Sequence, residues 1–417
     1  MTKKLTFIDL FAGAGGLSEG FIRAGYEPVA HVEMDRAACY TLRTRAAYHY
    51  LKANNQYHIY KQYLRGEITR DYLYKQIPDE ILKSVINLPI GGDNNPKIHK
   101  YTKALLRNRS VDLIIGGPPC QAYSLVGRAR REDSMKGDRR NYLYVQYAKY
   151  LEKYQPKLFV FENVLGLKSA GNGIYLDNME KLFHKKGYYM KLFTVEATNF
   201  GVLQNRKRVI IVGWQQHLEI MPPDLEAIRN KKNCTVNELL DDLPKINAGE
   251  GTDKFVQYTR PSTAFLTNSE IRNGIDILTQ HVARPHTVQD KEIYRIAVEK
   301  LQDGERLNYT TLPQRLRTHK NERSFFDRFK VVDAKAAAAQ TVVAHIAKDG
   351  HYYIHPDITQ NRSLTVREAA RLQFFPDDFY FEGVKEGKNR TAAFKQIGNA
   401  VPPLMAEMIA KELKIIL

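Results

Sequence analysis

Cysteine is scarce in this chain: 417 residues hold only Cys39, Cys120 and Cys234, with no Cys-x-x-Cys pair. That count excludes a disulfide framework and a cysteine-type zinc site, so no metal is expected, and a reducing cytoplasm is the expected location. No apolar run is long enough to span a bilayer, and the start, Met-Thr-Lys-Lys-Leu-Thr-Phe-Ile-Asp, lacks the apolar stretch of a signal peptide. No membrane partner is therefore expected. Internal repeats and low-complexity linkers are missing too. Acidic residues are in deficit: 63 Lys and Arg stand against 46 Asp and Glu, a formal net charge of +17. Such a surplus attracts a polyanion, because each cation near a phosphate releases counterions. Charge alone leaves a basic enzyme with no nucleic-acid partner equally open.

What the chain does hold is a series of short runs rich in β-branched and aromatic residues, at 5–11, 28–33, 111–115, 158–161 and 209–212. Helical patterns separate them, which predicts βαβ units in an α/β fold, a mostly parallel sheet flanked by helices. Two stretches break the rhythm. Residues 40–106 are too long for one crossover and rich in Tyr and Lys; amphipathic helices packed on the sheet account for them better than DNA contact. Residues 215–357 are rich in Arg, Lys, Thr, Asn and His with little periodicity, and read as a smaller, irregular, basic unit. Regular patterning returns at 367–375 and 399–417. The expected division is a large domain of residues 1–214 plus about 385–417, and a small one of about 215–384.

The turn Phe11-Ala12-Gly13-Ala14-Gly15-Gly16-Leu17 lies between the first strand and a helix pattern, where a ligand can approach the backbone closely. Glu33, ending the second strand, can accept ribose hydroxyls. Together they point to an adenosyl-type cofactor, with NAD still allowed. Gly116-Gly117-Pro118-Pro119-Cys120 follows the 111–115 strand, so Cys120 is expected at the carboxyl end of the sheet, where open α/β sheets bind ligands. The prolines stiffen the approach, and a thiol held so reads as a nucleophile rather than a small core residue. Glu162 follows Phe159-Val160-Phe161 at another strand end, a place for an acid. Arg206 and Arg208 alternate ahead of the 209–212 run and should share one face of an extended segment.

In this order the blocks resemble the DNA (cytosine-5) methyltransferases of the bacterial modification type. The matching stretches are 11–17, 116–124, 161–164, 204–208, 367–375 and 396–402, and they cover most of the chain outside 40–106 and 215–357. The resemblance implies the Rossmann-like fold of S-adenosylmethionine-dependent methyltransferases, with target recognition in the smaller domain. It implies S-adenosylmethionine as methyl donor and S-adenosylhomocysteine as product. Cys120 takes the place of the nucleophile, and Glu162 that of the acid at the flipped cytosine's ring nitrogen 3 and amine. Arg208 matches the group that steadies the base's carbonyl oxygen, and Arg206 the one in the nucleophile's surroundings. Phe11, Gly13, Gly15, Gly16, Leu17, Glu33, Met34, Pro118, Leu143, Asn399 and Val401 fall in the donor pocket. Asp93 is the candidate for the acid that reads the donor's adenine. Residues 124–138, with Ser124, Gly127 and Arg128, match the loop that closes over DNA. The implied partners are double-stranded DNA at a specific short sequence and a cognate restriction endonuclease; a monomer is expected. Arg260, Arg284, Gln314, Arg315, Arg317, Arg323 and Arg328 are candidate base readers, most of them expected to be phosphate contacts or surface charges. An RNA (cytosine-5) methyltransferase is the alternative. Those relatives carry Cys-Phe-Thr in the recognition region, whereas Cys234 here precedes Thr235.

Overall fold

The computed structural model describes residues 4–119, 142–319 and 321–417, the side chains of Arg323 and Ser324 excepted. Cys120 and the loop expected at 124–138, with Ser124, Gly127 and Arg128, lie outside the described residues. The five apolar runs form strands β1 (Thr6–Leu10), β2 (Glu27–Glu33), β4 (Leu113–Gly116), β5 (Leu158–Asn163) and β8 (Lys207–Gln215). With β3 (Val85–Asn87) and β6 (Tyr188–Glu196) they make one seven-stranded sheet in the order β3-β2-β1-β4-β5-β8-β6. Only β8 runs against its neighbours, antiparallel to both β5 and β6. A two-residue strand, β7 (Gln204–Asn205), precedes it.

Successive side chains of a strand face opposite sides of the sheet, and the core divides accordingly. Phe7, Leu113, Ile115, Leu158, Val160, Ile210 and Val212 belong to one buried cluster. Helix α1 (Gly16–Arg23) and helix α12 (Pro403–Ile415) cover it with Leu17, Phe21, Met405, Ile409 and Leu413. Ile8, Leu10, Ile114, Phe159, Phe161 and Ile211 belong to the other. There α6 (Asn95–Leu106), α7 (Leu143–Tyr154) and α8 (Ile174–Lys185) supply Ile98, Tyr147, Leu151, Met179 and Phe183. With both faces covered, the central strands read as near-continuous apolar runs, which is why they were legible. The two ends of the chain close on each other. A Cβ at Gly20 would sit 2.4 Å from that of Ala406, and Tyr26 Oη donates to the Ala410 carbonyl at 3.0 Å.

The stretch 40–106 proves to be more than an insertion, since it carries edge strand β3. Ahead of that strand come helices α2 (Arg36–Ala53), α3 (Tyr57–Leu64), α4 (Arg70–Lys75) and α5 (Asp79–Lys83). Tyr48, Tyr60 and Tyr63 are buried there with Leu51, Leu73, Ile275 and Ile277. Packing, not DNA contact, accounts for those tyrosines.

The region after 215 holds little regular structure, with a small core of its own: Tyr294 and Val298 of α9 (Val288–Gln302), with Leu307, Leu312, Phe329 and Val331. Val366, Ala369, Phe375, Phe379 and Phe381 share one buried cluster with Phe7 and Leu113 of the sheet and with Leu239, Val332 and Tyr353 of the region after 215, so 364–381 packs where the two meet. Arg367 and Arg371 of α10 (Val366–Leu372) are fully buried there. Arg367 donates to the Thr279 carbonyl at 3.1 Å, and Arg371 pairs with Asp377 and Asp242, tying the irregular region to the core. Among the described residues no helix is long and apolar enough to cross a membrane.

Candidate active site at the carboxyl ends of the central strands

β1 runs into the glycine turn, whose Phe11, Gly13 and Gly15 all take positive φ, at 60°, 55° and 84°. The Ala12 N–H anchors the turn on the Val32 carbonyl of β2 at 3.1 Å. A Cβ built on Gly13 meets nothing within 4 Å, so open space lies over this backbone. Gly16 is required for a different reason: a Cβ there would stand 2.2 Å from the Val401 carbonyl oxygen and 3.2 Å from the Phe375 ring. Val401 thus forms a wall against the turn. Gly16→Ala is expected to cost about 1–3 kcal/mol of overpacking and to weaken donor binding. Urea unfolding and calorimetric titration with S-adenosylmethionine would check this; no change in either would show the wall is not seated on the turn.

Glu33 shapes the same turn. Its Oε2 accepts the Gly13 N–H at 2.8 Å, and its Oε1 accepts those of Met34 and Asp35 at 2.8 and 2.7 Å. Three of a carboxylate's roughly four lone pairs are thereby used, leaving the open acceptor position on Oε2. Burial pushes this carboxyl above the usual range, while the three N–H bonds pull it back. Beyond it Met34 is 64% exposed, a bare apolar wall beside the turn. Beneath the turn, buried Asp9 accepts a hydrogen bond from Ser18 at one oxygen, while Oδ1 has no partner among the described residues.

Burial, reinforced by the nearby Glu33 carboxylate, pushes Asp9 up to about 8, against the opposing Ser18 bond. The folded protein therefore holds a proton that the unfolded chain releases near pH 4. Stability falls as pH rises through the window from about 4 to 8, and the cost is constant above it. Asp9→Asn cannot ionise. Its stability relative to the parent is expected to climb across that window and level off beyond it. Urea midpoints at pH 5, 7 and 9 would measure the difference, and a flat difference would refute the assignment.

On the other side of β1, the segment leading to Cys120 is pressed against the end of β5. A Cβ at Gly117 would lie 2.7 Å from Glu162 Oε2. Asn163 Nδ2 donates to the Pro118 carbonyl at 3.3 Å. Glu162 Oε1 meets Arg208 Nε at 2.9 Å, both side chains being largely buried. Register explains the meeting: Glu162 pairs with Ile210 across β5 and β8, two residues from Arg208. The two arginines do not share a face. The strand is interrupted between Asn205 and Lys207, and Arg206, with 0% exposure, turns the other way. Its Nη1 donates to the Val342 carbonyl at 2.8 Å and its Nη2 to that of Ala400 at 2.7 Å. Arg206 therefore joins the β8 side of the site to the strip beside Val401.

The remaining expected residues are spread around this centre. Phe11 is half-buried in the turn; Leu17 is buried in the core, so only its backbone can face a ligand. Leu143 is half-buried at the start of α7, and Asn399 is exposed at the end of α11 (Arg390–Asn399). Asp93 is exposed on the loop between β3 and α6. Sequence reasoning missed Asn87, which ends β3 opposite Glu33 and donates to the Glu33 and Met34 carbonyls at 3.1 and 3.0 Å. A three-residue strand gives no periodicity by which to find it. Several proposed DNA contacts already have partners: Arg260 with Asp241, Arg315 with Glu292, Arg317 with Glu322, and Arg328 with Asp349. The exposed pairs at Arg260 and Arg315 are worth ~0–1 kcal/mol and can be exchanged for phosphate; those at Arg317 and Arg328 are partly buried. Arg284, half-buried, donates to the Ile346 carbonyl at 3.1 Å. Gln314 accepts from Arg317 at 2.7 Å.

A seven-stranded sheet with one reversed strand and a glycine turn after its first strand places the chain in the fold class of the S-adenosylmethionine-dependent methyltransferases. Residues 5–72 and 86–415 match the C-5 cytosine-specific DNA methylase family, and the chain belongs to it. It is 43% identical to Type II methyltransferase M.Bpa9945I of Bacillus paralicheniformis, over 98% of each chain. It is 32% identical to Type II methyltransferase M1.HphI of Haemophilus parahaemolyticus, over 98% of this chain and 86% of that one. A crystallised E. coli prophage protein described as a DNA modification methyltransferase shares the fold, with TM-score 0.64, 24% identity and 99% coverage of each chain. Family and relatives favour DNA over the RNA alternative.

Proposed function

We propose that this enzyme methylates carbon 5 of one cytosine, turned out of double-stranded DNA, within a short specific sequence. We place it as the modification half of a restriction–modification system, acting as a monomer in the cytoplasm beside a cognate endonuclease. The observation that carries the reading is the Glu162–Arg208 pair, 2.9 Å apart on adjacent strands and packed against Gly117 on the way to Cys120.

The open backbone at Gly13, the remaining acceptor on Glu33 and the exposed Met34 fit an adenosyl ligand. With Phe11, Leu143, Asn399 and Val401 they would hold S-adenosylmethionine, which when bound supplies an electrophilic methyl group on its sulfonium. Carbon 5 of cytosine is a weak nucleophile. Cys120 as thiolate adds to carbon 6, and the electron pair moves onto carbon 5. Glu162 shares a proton with ring nitrogen 3, and Arg208 steadies the carbonyl oxygen, so the charge gained on attack is stabilised. After transfer, water takes the proton from carbon 5, the 5,6 double bond re-forms and the Cys120 thiolate is expelled. Extruding the base costs a few kcal/mol, which contacts from the basic region offset.

Expression in a host without cytosine methylation, followed by sequencing of methylated bases, tests the reading. 5-Methylcytosine should appear at one short sequence. Unmodified DNA, methyladenine, or methylation confined to RNA would overturn it.

A further inference from the structure

The helices ahead of β3 have no part in the chemistry just described. The structure assigns them one through Thr41: the α2 hydroxyl holds the arm, residues 396–401, that walls the donor pocket, making Thr41 a positioning residue for S-adenosylmethionine. This rests on reading the Gly13–Val401 space as that pocket.

Thr41 Oγ1 donates to Gln396 Oε1 at 2.6 Å; the Ala37 carbonyl, at 3.3 Å, is the longer alternative for the same proton. The hydroxyl also accepts the Glu382 N–H at 2.8 Å, and Gln396 Nε2 donates to the Glu382 carbonyl at 2.9 Å. All three residues are buried. Gln396 lies on α11 one turn before Asn399 and Val401, the latter being the carbonyl set against Gly16. Behind the triangle, Glu382 accepts from Thr44 Oγ1 at 2.8 Å, and from Tyr63 and Arg70. Arg70 donates as well to the Gly383 carbonyl at 2.8 Å.

The same helix touches the opposite wall. A Cβ on Gly15 would lie 2.7 Å from Leu42 Cδ2, and Arg45 bridges Glu19 of α1 to Asp378 at 2.6 and 2.8 Å. One helix therefore registers the glycine turn against the arm, 355 residues apart at the Thr41–Gln396 bond. The two walls touch directly where Gly16 meets the Val401 carbonyl, and α2 holds their register from behind. Removing the Thr41 hydroxyl leaves Gln396 Oε1 and the Glu382 N–H without partners, which frees the segment leading to Val401 to shift.

Thr41→Val keeps the shape and removes the hydroxyl; Thr41→Ser keeps the hydroxyl. Thr41→Val is expected to raise Kd and KM for S-adenosylmethionine about tenfold, with kcat at saturating donor and KM for DNA unchanged. Thr41→Ser should restore donor affinity. Wild-type donor affinity in folded Thr41→Val, whatever its melting temperature, would overturn the proposal, as would equal losses in kcat and in KM for DNA. Should Thr41→Val fail to fold, Gln396→Met tests the other end of the bond with the same expectation. A parent protein that binds no S-adenosylmethionine would instead overturn the donor-pocket reading, and this proposal with it.

Discussion

Cys120→Ala should lower methyl transfer by at least about 10⁴-fold, the scale seen when a covalent nucleophile is deleted. S-adenosylmethionine binding should survive, because Gly13, Glu33 and Val401 form their side of the site without it. The size follows from the chemistry. Without addition at carbon 6, carbon 5 keeps the low electron density of an aromatic ring, and no placement of the donor compensates. Serine would not rescue, since its hydroxyl is far less ionised and less polarisable than a thiol. Tritiated methyl incorporation and calorimetric donor binding, measured on one preparation, separate the two effects. Retention of more than a hundredth of the parent rate would exclude the covalent route.

Glu162→Gln should cost about 10²–10³ in kcat, comparable to removing one preorganised group that stabilises developing charge. Glutamine fills the same space against Gly117, so donor affinity should hold. It loses the carboxylate that meets Arg208 Nε at 2.9 Å, and with it the group able to exchange a proton with ring nitrogen 3 during the reaction. The guanidinium would then be free to leave the position from which it steadies the base. Single-turnover rates at saturating donor and DNA measure the chemical step directly. A near-parental rate would remove Glu162 from that step; a collapse in melting temperature without a change in rate would mark the pair as merely structural.

Legibility in the sequence followed burial and locality. β1, β2, β4, β5 and β8 announced themselves because strands covered on both faces are apolar almost throughout. β3, with three residues, and β6, whose first half carries the exposed Tyr189 and Lys191, had no comparable signal. The reversal of β8 is equally silent, since strand direction leaves no mark on local periodicity. At the site, Glu162 and Arg208 were found as motif residues, and the register of β5 against β8 brings them together. Arg206 was found too, but its partners were invisible: the carbonyls of Val342 and Ala400 lie 136 and 194 residues away.

The wall at Val401 also decides what an incomplete polypeptide can do. A product of premature termination between residues 209 and 400 has the glycine turn, Cys120 and Glu162, yet lacks the carbonyl that closes over Gly16 and the helix that packs with Phe21. Such fragments lose one wall of the proposed donor pocket, so a chain truncated before Val401 is expected to bind S-adenosylmethionine poorly.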